Sequence, residues 1–166
     1  MNFVTKNVPA TEDDQRRRVF QIWNSYFESI NRRVRADLVG EAKKKSLSQA
    51  DASAIFQRVL KREVLALRAM RDLNQYLAIT HATVVGKYEK EFRAASNAKF
   101  RGRRFTPATT KLLKECAGLL ITKDAFRFST SGVVIAGFGK NDLFPGIYRS
   151  MWSGIILDQL RIREDP

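Results

Sequence analysis

Cysteine and histidine each occur once in this chain, as Cys116 and His81. A single cysteine excludes a disulfide framework and a cysteine-based zinc site within one chain. One histidine with one distant cysteine supplies no metal set, and neither a metal nor a cofactor is expected. No run of 18 apolar residues occurs, so no membrane span is expected. The N-terminus, Met1-Asn2-Phe3-Val4-Thr5-Lys6, lacks the apolar core of a signal peptide, and a cytoplasmic location is the simplest expectation. Acids are also scarce: 17 Asp and Glu against 30 Lys and Arg, a net charge of +13 over 166 residues. That balance favours polyanionic partners such as nucleic acid, polyphosphates, an anionic membrane surface or an acidic protein. The plainer reading is a solvated basic face.

What is present divides in two. Residues 126–166 hold five basic and four acidic residues, whereas residues 1–125 hold 25 and 13. Residues 1–125 read as a basic helical region and 126–166 as a strand region packed with it as one domain. Thr11-Glu12-Asp13-Asp14 opens a helix with a hydroxyl cap and acids in its first turn. Val19, Phe20, Trp23, Phe27, Ile30, Val34 and Leu38 then form one apolar stripe. The other face carries Arg16, Arg17, Arg18, Arg32, Arg33 and Arg35, and Gly40 with Lys43-Lys44-Lys45 closes the helix. Ser48 with Asp51 is a second capping box. No proline or glycine follows until Gly86, and apolar residues from Ile55 to Phe92 keep a helical rhythm. This is one very long helix, or two joined near Arg71-Asp72 or Thr80. Residues 96–105 form a basic loop. Thr106-Pro107 starts a shorter helix whose buried face holds Leu112, Leu113, Cys116, Leu119 and Leu120.

Past Asp124 the period changes. Phe126 to Phe138 reads as a strand covered on both sides, and Gly139 to Pro145 as a loop. Residues 148–163 form a second strand region, with Met151, Ile155 and Leu157 on one face and Trp152, Ile156 and Leu160 on the other. A tight turn at Asp158-Gln159 would make it a hairpin. The expected fold is therefore helix-dominated α+β: a long helical hairpin or bundle followed by a short antiparallel β element. So few strands are marginal alone. They must pack on the helices, or their edges must pair with another sheet.

Little here points to catalysis. Gly137-Phe138-Gly139 lacks the third glycine and following acid of a dinucleotide fingerprint, and no P-loop pattern occurs. A turn that needs glycine backbone angles is the better reading. His81 is expected near a packing stripe and Cys116 on an apolar helix face, as an inert buried thiol. Glu89 and Glu91 do not share a helix face and read as solvated charges offsetting Lys87, Lys90 and Arg93. No catalytic residue is assigned; an independent enzyme would need His81 and Cys116 beside acids in a pocket. The clearest binding signal is Lys99-Phe100-Arg101-Gly102-Arg103-Arg104-Phe105. Lys99, Arg101, Arg103 and Arg104 are the candidate polyanion ligands, with arginines forking onto phosphates and phenylalanines free to stack on bases. The competing reading has Phe100 and Phe105 anchoring the loop in the core.

The segment Ser131-Gly132-Val133-Val134-Ile135-Ala136-Gly137-Phe138-Gly139 leads to Phe144-Pro145, then Gly154-Ile155-Ile156-Leu157 and Leu160-Arg161-Ile162-Arg163. It resembles the C-terminal part of a family of uncharacterised bacterial proteins with a proteasome-like, N-terminal-nucleophile hydrolase fold. Such hydrolases use a chain-terminal Thr, Ser or Cys as nucleophile. Here Met1-Asn2 begins the chain and Thr5 follows no processing signal, so no catalytic residue carries over. The resemblance implies a non-catalytic scaffold or assembly segment that donates strands to a larger sheet, with a protein partner or self-association. A looser similarity, over Tyr76 to Val85 and Leu112-Leu113-Lys114-Glu115-Cys116, is to the later helices of SPX domains, which bind inositol polyphosphates. The functional alternative is a basic helical module that binds nucleic acid or polyphosphate.

Overall fold

The Thr11 hydroxyl accepts the Asp14 N–H at 3.1 Å, and the Asp14 carboxylate accepts the Thr11 N–H at 3.3 Å. This reciprocal cap starts helix α1, Glu12–Ala42. Ser48 and Asp51 repeat the arrangement at helix α2, Gln49–Arg68. The computed structural model describes residues 10–43, 46–103, 105–126, 130–137 and 146–165. The glycine-rich loop after Gly137, the Phe144-Pro145 corner, Lys44, Lys45 and Arg104 lie outside them.

The expected helical hairpin forms. Arg33 pairs with Glu63, Arg62 with Asp37 at 2.5 Å and Arg58 with Glu41 at 3.8 Å, so α2 runs back along α1. The rest of the long apolar pattern is broken at both suspected places. A 3-10 turn occupies Asn74–Tyr76, and helix α3 spans His81–Lys87. The chain before the turn is drawn off by backbone bonds to the far end of a later helix: Leu73 N–H to Thr122 O at 3.0 Å, and Asp124 N–H to Arg71 O at 2.8 Å. Thr80 restarts the helix, its hydroxyl accepting the Thr83 N–H. A third break falls at Tyr88, whose φ of −112° and ψ of 37° separate α3 from helix α4, Glu89–Phe100.

The basic loop is shorter than expected, because residues 96–100 form the last turn of α4. Burial of Ser96 and Phe100 accounts for this. Helix α5, Pro107–Thr122, begins at the Thr106 cap. It crosses α3 so closely that a Cβ on Gly118 would lie 2.3 Å from the His81 carbonyl oxygen. Only a glycine fits there without moving backbone. One core joins these helices. Trp23, Tyr26, Phe27 and Ile30 of α1 meet Leu60 and Leu67 of α2, Tyr88, and Leu120 and Ile121 of α5.

Strands β1 (Ser131–Gly137), β2 (Gly146–Ile156) and β3 (Gln159–Asp165) form an antiparallel sheet in that order. The first strand starts later than the sequence suggested. It is not covered on both sides: every residue of β1 is exposed. The alternation expected for residues 148–163 also fails. Ser153 and Gly154 together oppose Arg161, a bulge that shifts the phase and buries Ser153 and Ile156. The turn falls at Leu157-Asp158, both with positive φ (55° and 59°), one residue earlier than read.

Candidate functional site

The basic turn is built from the core outward. Phe100 is buried, its ring 5.2 Å from Phe56 and 5.6 Å from Phe27. Phe105 stacks on Phe56 at 5.1 Å. Both rings therefore anchor the turn, and Phe100 is not available to stack on a base. Between them, Arg103 N–H bonds to Phe100 O at 3.0 Å, and Gly102 has a φ of +80°. This is a type II turn, which favours glycine at its third position.

Three of the four candidate ligands lie within the described residues. Lys99 is engaged elsewhere: its ammonium sits 3.1 Å from Glu28 of α1. Arg101 is exposed. Arg103 lies over the Phe56 ring, its guanidinium carbon 5.6 Å from the centroid. Partial burial, and then the nearby Arg35 charge, lower the Arg103 pKa from its ordinary value. Arg35 is thus a neighbour that the linear motif does not contain. Asn31 donates to Lys99 O at 3.1 Å, so the α1 stripe Glu28, Asn31, Arg32, Arg35 faces the end of α4. The stripe offers a carboxylate to Lys99 and then only arginines. Its spacing was readable, but its position against the turn was not.

The remaining candidates are dispersed. His81 is exposed at the start of α3 and lines an open groove of about 720 Å³ with Val85, Glu89, Phe105, Lys111 and Glu115. Cys116 is fully buried elsewhere, donating weakly to Leu60 O at 3.8 Å. Burial pushes its thiol up to about 12, which makes it a poor nucleophile. Glu89 pairs with Arg93 at 2.7 Å within α4, but Glu91 reaches Arg16 of α1 at 3.2 Å instead of its own helix. Among the described residues, no group of three His, Cys, Asp or Glu could hold a metal ion. No helix among them is long and apolar enough to cross a membrane.

The second candidate is the sheet. Its inner part is fastened to the helices by Arg161, a residue that sequence reading left unassigned. The guanidinium is buried and donates to Ile121 O, Leu120 O and Lys123 O at 2.9–3.1 Å and to Ser153 Oγ at 2.9 Å. It also lies 4.2 Å from the Phe126 ring centroid. A cation at the C-terminus of α5 meets the negative end of the helix dipole. Burial pulls its pKa down to about 10, which leaves it charged at neutral pH. The hairpin tip is held separately. Gln15 donates to Asp158 Oδ1 at 2.7 Å and accepts the Asp158 N–H at 3.1 Å, while Tyr88 OH accepts the Leu157 N–H at 3.1 Å. Among the described residues, the outer strand has no such fastening. Val133, Val134 and Ile135 of β1 are 44%, 66% and 49% exposed.

No family model, curated protein or solved structure matches this chain.

Proposed function

We propose that this chain is a non-catalytic assembly segment whose sheet is completed by a partner domain. The observation that carries the reading is β1. Its apolar residues point to both faces, with Val133 and Ile135 on one and Val134 and Ala136 on the other, and all are exposed. A strand that is apolar on both faces belongs in the interior of a layered sheet. A single added strand would satisfy its edge and still leave its faces wet. The fitting occupant is therefore a sheet-bearing domain that supplies both a neighbouring strand and a covering layer. The resemblance of residues 131–163 to the C-terminal part of proteasome-like proteins supports the same reading, since those strands complete a sandwich.

An uncovered strand of this kind drives edge pairing. The isolated chain is expected to self-associate above its 19.0 kDa monomer mass. Val134→Lys should restore the monomer without changing helical circular dichroism. Light scattering after gel filtration checks this. A wild-type chain that stays monomeric at high concentration, in low and high salt alike, overturns the reading.

A further inference from the structure

Several acids on α1 and α2 are committed to particular cations, and the arginines beside the basic turn are not among those cations. Lys99 takes Glu28, Arg33 takes Glu63, Arg62 takes Asp37 and Arg58 takes Glu41. Just beyond Lys99 lies the turn that carries Arg101 and Arg103, and on α1 Arg32 and Arg35 follow Asn31, which donates to Lys99 O. Among the described residues, none of these four has a carboxylate within ion-pair distance.

Two further observations separate this cluster from a solvated basic face. First, the turn is anchored, with Phe100 in the core, Gly102 left-handed and Arg103 laid on Phe56. Its guanidinium is therefore placed before any ligand arrives, which reduces the ordering cost of binding. Second, Arg35 lies one turn beyond Asn31, which bonds Lys99 O, and Arg103 feels the Arg35 charge. An anion lodged between two guanidiniums would turn that repulsion into attraction.

We propose that Arg35, Arg101 and Arg103, with Arg32 at the margin, form a phosphate-binding site. Guanidiniums present forked donors that match phosphate oxygens. Since Phe56, Phe100 and Phe105 pack on one another, the site reads phosphate and not bases. The same chemistry would come from a free oligophosphate or from the backbone of a nucleic acid. The site is independent of strand donation by β1, and it differs from the linear motif in excluding Lys99 and including α1.

The test uses the full chain with two probes, sodium tripolyphosphate and a 20-nucleotide single-stranded oligonucleotide, titrated between 50 and 200 mM salt. The substitutions R35A and R101A fall on exposed residues and should leave the circular dichroism unchanged. Together they should weaken binding by about tenfold or more. The salt slope for the oligonucleotide should fall by roughly 1.4, at about 0.7 per phosphate contact on a single strand. R103K keeps the charge but loses the fork, and should also weaken binding. The pair K111A and K114A removes equal charge from α5 and should have little effect. Tripolyphosphate binding alone identifies a small oligophosphate ligand. Oligonucleotide binding alone identifies a nucleic-acid backbone. Binding of neither probe, or equal loss from both double variants, overturns the site.

Discussion

Arg161 and Cys116 show what burial does to a single polar side chain in this molecule. Arg161 answers carbonyls at the end of α5 that would otherwise face the sheet without a donor. Arg161→Met keeps similar bulk and removes the donors. It should cost about 3 kcal/mol, lowering the melting temperature by roughly 6–12 °C for a chain of this size, as thermal unfolding would record. Cys116 has a thiol raised to about 12 by burial. A raised folded pKa favours the protonated form. The stabilisation is therefore complete below the ordinary thiol value and is lost as pH climbs from about 9 towards 12. Tyr76, also raised by burial, acts in the same direction. Denaturant midpoints should fall above pH 9, less steeply in Cys116→Ala. A midpoint slope unchanged by that substitution would remove Cys116 as a contributor.

Among the elements, local signals were legible and distant ones were not. Thr11, Ser48 and Thr106 announce their helices because capping is settled within four residues. The α1 stripe is equally plain, since its seven residues from Val19 to Leu38 all pack on one core. The break at Tyr88 carries no such mark. It exists because the Tyr88 hydroxyl meets Gln15 Oε1 at 3.2 Å and the Leu157 N–H, partners 73 and 69 residues away. The bulge at Ser153-Gly154 is similarly hidden, because it is defined by Arg161 across the ladder and by Arg18, whose Nε bonds Ser153 O. Of the candidate site, the cations of the turn were visible as composition. Their pairing required α1, which consumes Lys99 and contributes Arg35. Tyr88→Phe should release the hairpin tip while sparing the helices. Hydrogen exchange should show faster exchange at Leu157 and little change in α1 or α2. Uniform loosening of all elements would mean that Tyr88 holds the core and not the tip.

At the scale of the whole molecule, Val39, Leu65 and Leu77 are exposed singly in the helical part, whereas the sheet exposes a continuous apolar run at Val133, Val134 and Ile135. The arginine group sits where α1 passes the end of α4, and that apolar run lies on the outer strand of the sheet. The sheet itself returns to the start of the chain. Gln15 and Asp158 are 143 residues apart and bonded to each other. This contact has a consequence for synthesis. At 5–20 residues per second, roughly 7 to 30 s separate the emergence of those two residues from the ribosome. Through that interval the helices can fold on one another, but the buried Gln15 has no hairpin tip to meet. A chaperone would encounter a bundle with its last wall missing, and a stalled ribosome would leave it in that state.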